Sequence, residues 1–239
     1  MRKQFLWTQN PGFHYSPSGN IEIGAGDTGS VSLWYHPAGF NVNRYLWTLE
    51  TDGDDYAWVR WDPTFAQGHP HFQVHSDGTT YEVELLNNQD VAGNFQRWYL
   101  VTATWDFTTP DAGVLRLYYD NEDQTDFTTC TNANGITDTP TDLYVGNRTT
   151  DNAVQSCFDN VAIFDGVITE AEHLALLNGA AEDDPTARNH ARRTSIDEDD
   201  YSAASLLFLA DFDGQFDART ATGSATADWD VTEDAYHKF

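Results

Sequence analysis

The sequence predicts an all-β sandwich with one short helix and a C-terminal arm that carries a completing strand. Three observations point there. Apolar and polar residues alternate in Trp98–Trp105 and Val114–Tyr118, with β-branched and aromatic types enriched, as half-buried strands require. Short segments of this kind recur along the chain with turn residues between them, which is sandwich spacing. Helix is the exception: a start signal stands out at Thr169–Glu172, where a threonine is followed three residues later by a glutamate.

In chain order, Arg44–Glu50 and Tyr56–Trp61 read as a hairpin around the turn Thr51–Asp55. His71–His75 and Thr80–Leu86 make another around Ser76-Asp77-Gly78. Trp98–Asp106 (WYLVTATWD) and Val114–Glu122 (VLRLYYDNE) follow. The pair Asp120-Asn121 is a turn, since both types tolerate left-handed backbone. Asp142–Arg148 (DLYVGNR) then leads into Cys157–Gly179 (CFDNVAIFDGVITEAEHLALLNG). Its helix is expected to turn Ala171, Leu174, Ala175 and Leu177 inward and to end at a left-handed Gly179. Residues 180–200 are polar without an apolar period and read as a linker or arm. Within residues 201–239, Leu206–Phe212 is apolar on both faces, Leu207 and Leu209 on one, Leu206, Phe208 and Ala210 on the other. It therefore predicts a strand buried on each side, in its own sandwich or in a neighbour's.

These pieces resemble the laminin G-like, concanavalin A-like jelly roll. That family shows a W-x-x-V-x-x-T-x-D strand, an L-x-L-Y-x-D-G hairpin, an L-x-I-G-N strand, and a closing G-x-I-D-x-V strand before a short helix. The resemblance runs in the family's order from Trp98 to Gly179, about a third of the chain. Asn20–Pro37, where a polar turn precedes SVSLWYHP, is similar to the family's front half, which makes residues 1–179 the expected domain. SLLFLADFDG, from Ser205 to Gly214, resembles the family's opening strand but stands at the C-terminal end. That order predicts either self-completion of a permuted sandwich or strand exchange in a homo-oligomer.

Charge is the second large constraint. The chain has 38 Asp and Glu against 12 Lys and Arg, only two of them Lys, for a formal charge of −26. Such a surface repels nucleic acids and anionic membranes. Self-repulsion of this size is screened by concentrated salt, so an acidic, Lys-poor surface on an ordinary apolar core predicts a salt-in halophile. A calcium-rich extracellular module is the other reading. No apolar run is long enough to span a bilayer. The opening MRKQFLWTQNPGF has no apolar signal core, which predicts a mature chain, or one that reaches the outside by lysis or assembly.

Candidate site residues follow. Cys130 and Cys157 are either two buried thiols or, as the resemblance implies, a disulfide worth about 3–4 kcal/mol. The resemblance also implies calcium at the sandwich rim, with Asp106, Asp120, Asn121, Asp159 and Asn160 as candidate oxygen ligands. The aromatics Tyr45, Trp58 and Trp61, with Trp7 and Tyr15, could stack on sugar rings or fill the core. His69, His71 and His75 share one strand face, as a metal site or, more simply, as a solvated face. Glu50-Thr51-Asp52-Gly53-Asp54 is similar to the E-x-D-x-E motif of related glycoside hydrolases, but its last position is Asp and its residues suit a turn. The reading that follows is a non-enzymatic structural or adhesive surface protein, a virion component of a virus of a halophilic archaeon. It would be partnered by its own copies, by other virion or surface proteins and by a host-surface glycan. The alternatives are an extracellular carbohydrate-binding module of a halophilic microbe and, more weakly, a glycoside hydrolase.

Overall fold

A computed structural model describes residues 6–8, 13–15, 21, 23–37, 44–62, 69–84, 98–109, 112–119, 128–131, 135–146, 156–182, 206–211 and 217–219. Fourteen strands and one helix follow along them. The strands are β1 (Leu6–Thr8), β2 (Phe13–Tyr15), β3 (Thr28–Pro37), β4 (Arg44–Thr51), β5 (Tyr56–Asp62), β6 (His69–Ser76) and β7 (Thr79–Glu84), then β8 (Tyr99–Asp106), β9 (Ala112–Tyr119), β10 (Thr128–Thr131), β11 (Pro140–Val145) and β12 (Ser156–Phe164). Helix α1 (Glu170–Glu182), β13 (Leu206–Asp211) and β14 (Asp217–Arg219) complete the order. All pairings are antiparallel. One sheet has eight strands in the order β10-β9-β8-β3-β12-β13-β14, with β1 also on β12; the other has six, β2-β11-β4-β5-β6-β7.

Alternation puts one face of each sheet into a shared core. Trp47, Trp61 and Phe72 from the six-stranded sheet meet Tyr99, Trp105, Tyr119 and Phe158 from the other, each 2% exposed or less. The Trp61 and Tyr119 rings lie 6.2 Å apart, an aromatic contact across the two sheets. Gly29 is a glycine because Trp105 lies flat against it: a Cβ there would meet the indole at 2.1 Å. The β6–β7 hairpin closes on Asp77 (φ 48°) and Gly78 (φ 75°), the two left-handed residues that match strand twist in a two-residue turn.

Helix α1 begins at the capping box the sequence marks: Thr169 donates to and Glu172 accepts within the first turn, and the Glu172 amide returns a bond to Thr169 Oγ1. Its inward face differs from expectation. His173 and Leu177 are buried, whereas Ala171 and Ala175 are exposed. The surface below explains this, because the outer face of the eight-stranded sheet is lined here by hydroxyls. His173 Nδ1 lies 3.0 Å from Thr102 Oγ1 and its ring stacks on Tyr118. Ser30 Oγ joins the segment before the helix, donating to Gly166 O and accepting from Ile168 N. The helix also runs past Gly179 to Glu182, since Ala180, Ala181 and Glu182 are strong formers that offset one glycine's cost of about 1 kcal/mol. The first three residues of the expected linker are therefore helical, and 183–205 lie outside the described residues.

The β13 strand pairs with β12 of its own chain, Ala210 opposite Val161 and Leu206 opposite Phe164. Strand β1 takes the other half of the same edge, Leu6 opposite Phe158 and Thr8 opposite Ser156. The disulfide expectation fails on this topology. Cys130 on β10 pairs with Gly113, and Cys157 on β12 pairs with His36, with β9, β8 and β3 between their strands. Four strand steps of about 4.8 Å put the two backbones roughly 19 Å apart across the sheet, far beyond the roughly 4.4–6.8 Å that a bridge needs. The reason is non-local: β3, from the front of the chain, inserts between β8 and β12.

Candidate functional site

The six-stranded sheet has an outer face that is neither core nor plain charge. Register aligns its outward side chains in three rows. One row runs Asp142, Glu50, Tyr56, His75, Thr80; the next runs Tyr144, Thr48, Trp58, Gln73, Glu82; the third runs Tyr45, Arg60, His71, Glu84. A bulge between Tyr45 and Trp47 lets Leu46 and Trp47 both enter the core while Tyr45 stays outside.

Aromatic and polar groups interlock on this face. Tyr56 and His75 stack at 4.9 Å and 9°, and Gln73 Nε2 donates to Tyr56 Oη at 3.0 Å. Tyr45 meets Trp58 edge-on at 5.8 Å, Arg60 lies 4.4 Å above the Trp58 ring, and the His71 ring meets Trp58 edge-on at 5.0 Å. His71 is only 4% exposed, and its Nε2 lies 3.2 Å from Glu82 Oε2 and 3.9 Å from Glu84 Oε1. Burial pushes the imidazole below its ordinary range. Glu82 and Glu84 pull it back up without prevailing, and Arg60 adds to the lowering. The ring is therefore neutral near pH 7. Its Nδ1 is buried without a hydrogen-bond partner among the described residues.

Beside this face, three loops meet on one carboxylate. Asp55 accepts from the Asp77 and Thr137 amides at 2.9 and 3.0 Å and from Thr137 Oγ1 at 3.2 Å. Burial pushes its carboxyl up, but the backbone donors of Thr137, Asp77 and Asp138 outweigh it and hold the group below the usual carboxylate range. The Asp138 carboxylate in turn accepts from the Asp55 amide. The Ser76 hydroxyl donates to Gly135 O, joining the β6–β7 turn to the same segment.

The sequence-predicted residues distribute unevenly over this geometry. Trp61 is core and fully buried, so it cannot meet a sugar. Trp58 is on the outer face but 3% exposed beneath Tyr45, Arg60 and His71, a support rather than a platform. Tyr45 is half-buried and reaches the surface. The side chains of Trp7 and Tyr15 lie outside the described residues. Of the candidate calcium ligands, Asp120 and Asn121 lie outside the described residues, as do the side chains of Asp159 and Asn160. Asp106 accepts from the Thr108 amide and hydroxyl, closing its own turn. Asp106 is opposite Thr28 and Asp159 opposite Trp34 on β3, about 20 Å apart along the strand, so the two do not share an ion.

In the Glu50–Asp54 stretch, Thr51 Oγ1 donates to Asp55 O, Asp52 accepts from the Thr139 amide, and Asp54 is exposed in the bend. Of the three histidines, His71 is buried rather than solvated and gathers glutamates, while His75 stacks on Tyr56; the side chain of His69 lies outside the described residues. Tyr56, Tyr144, Gln73, Glu82 and Glu84 were not singled out from sequence. The signal was there: with Asp77 and Gly78 as the turn, counting outward pairs His71 with Glu84 and Gln73 with Glu82.

Comparisons with known proteins agree with this architecture. A search of the curated proteins finds no match. Among solved structures, the binding domain of botulinum neurotoxin serotype G aligns with 12% identity and a TM-score of 0.50, over 66% of this chain and 37% of that one. Domains LG4-5 of the mouse laminin alpha1 chain align with 12% identity and a TM-score of 0.50, over 70% of this chain and 43% of that one. The chain thus spans less than half the length of either structure, and identity this low speaks for the fold alone. The family model for the concanavalin A-like lectin/glucanases superfamily, laminin G type, matches residues 12–172. With two antiparallel sheets, one helix and that match over most of its length, the chain belongs to the concanavalin A-like lectin/glucanase superfamily.

Proposed function

We propose that this chain is a non-enzymatic binding domain that takes a glycan on the outer face of its six-stranded sheet. The observation that carries the reading is the interleaving of half-buried Tyr45, Tyr56 and Tyr144 with Glu50, Asp142, Gln73, His75 and Glu82 on one surface. Sugars offer C–H faces that pack on aromatic rings, and hydroxyls that need acceptors and donors beside them. A binding role, rather than hydrolysis, is supported by the use of Thr51 and Asp52 as turn fasteners. A glycan array should report saturable binding that weakens about 10-fold or more in Tyr45→Ala and Tyr56→Ala proteins whose melting is unchanged. Folded protein that binds no saccharide, or variants that bind as well as the parent, would overturn the reading.

The setting is the finer part of the proposal. The net charge of −26 supports a habitat in concentrated salt, and β13 closing on β12 of its own chain supports a self-contained unit that can be displayed in copies. Both fit a component of a virus particle of a halophilic archaeon, displayed with copies of itself and bearing the glycan site outward. A carbohydrate-binding module on a halophilic cell surface uses the same features. The melting temperature is expected to climb steadily from low to molar NaCl as surface repulsion is screened. A flat or falling curve would remove the halophile half, and the protein inventory of purified particles decides between particle and cell surface.

A further inference from the structure

We propose that His71, Glu82 and Glu84 form a binding site for a divalent first-row transition metal, of which Zn2+ is the type. The three side chains converge from adjacent strands, and one ligand atom from each lies within 4.8 Å of the other two. Ligands about 2.1 Å from a common ion stand roughly 3–4 Å from one another. His71 Nε2 is already at 3.2 and 3.9 Å from the two carboxylates, so side-chain rotations of about an ångström close the set.

The imidazole has the character of a ligand rather than of a core fastener. It is 4% exposed and aims Nε2 at two carboxylates, with little freedom to turn away. Two glutamates brought to one histidine attract a cation, and the Arg60 charge opposite His71 offsets part of that attraction. The Trp58 edge at 5.0 Å walls one side with apolar surface. The Glu82 side chain is 50% exposed and that of Glu84 22%, so the set opens toward solvent, where water or a ligand group completes the coordination.

Chemistry selects the class of metal. Calcium requires six to eight oxygen ligands, whereas one imidazole nitrogen with two carboxylates suits Zn2+, Co2+ or Mn2+. This site does not depend on glycan binding and can be tested without a saccharide.

Equilibrium dialysis against Zn2+ in molar NaCl, which suppresses diffuse binding to surface carboxylates, should give one equivalent per chain. Affinity should fall at least about 10-fold in Glu82→Gln and in Glu84→Gln, and stay unchanged in Glu170→Gln on the exposed start of α1. Co2+ provides the second readout: its ligand-field absorption should appear with the wild-type chain and change in His71→Gln. Glu82 is half exposed, so its variant should fold, and its melting curve verifies that. Folded wild-type protein that takes up no stoichiometric Zn2+ or Co2+ overturns the proposal. So does unchanged binding in both glutamate variants.

Discussion

Asp55→Ala is expected to destabilise the fold by about 3–5 kcal/mol, since it strips a charged acceptor from three donors at once. The residue is 5% exposed, so water cannot replace the lost acceptor at the Asp77 and Thr137 amides. Both turns it ties together, β4–β5 and β6–β7, border the outer face, and their loosening should also slacken the Tyr56–His75 stack. Asp55→Asn keeps the shape and should cost less, about 2–3 kcal/mol, because one donor-facing oxygen becomes an amide nitrogen.

The pH dependence follows from the direction of the shift. The folded carboxyl sits below its ordinary value of 3.8, so its contribution is fully present above that value. It is lost as pH falls through the lower folded value. Protonation also relieves the chain's general repulsion, which works the other way between pH 7 and 5 in low salt. The difference between wild type and Asp55→Asn cancels that shared background. Denaturant unfolding at pH 7, 5 and 3 should show a gap that is constant at the first two and narrows at the third. An equal gap at all three, or one below about 1 kcal/mol, would mean that the network is ornamental.

Truncation after residue 200 should be as damaging. Val161, Ala162, Ile163 and Phe164 are fully buried, and all four pair with β13. At about 1 kcal/mol for each lost ladder bond, removal costs on the order of 4 kcal/mol before any apolar exposure, or roughly 8–16 °C in Tm. The bared edge of β12 should then recruit other chains, and size-exclusion chromatography should show aggregates or insoluble protein. Hydrogen exchange should rise at residues 161–164 and leave the β5–β6 ladder protected. A soluble monomer with an unaltered melting temperature would show that the strand is dispensable.

Local features of this fold are legible in the chain and long-range ones are not. The hairpins at Asp52–Asp54 and Asp77-Gly78 follow from turn chemistry, and β8 and β9 from alternation, because each depends on neighbours in sequence. The Cys130–Cys157 bridge that the resemblance implies does not form across this sheet, because strand order depends on where β3 inserts, which no local pattern encodes. The buried face of α1 is non-local in the same way. An apolar stripe predicts burial against an apolar surface, yet the helix rests on Thr102 and Tyr118, which His173 meets with a hydrogen bond and a ring stack. At the candidate site, Glu82 and Glu84 resemble any solvated strand face until hairpin register sets them beside His71.

The shared edge of β12 has a consequence for how the protein is made. As the chain leaves the ribosome, β12 can join β3 at once, and Leu6–Thr8 has long been available for one half of its free edge. The other half waits for Leu206–Asp211, roughly forty residues later, about 2–8 s at ordinary translation rates. Through that interval each nascent chain exposes a stretch of four apolar residues in which every second one has unpaired backbone groups, and polysomes hold many such chains side by side. The speed with which that stretch is translated therefore controls whether a chain closes on itself or on its neighbour.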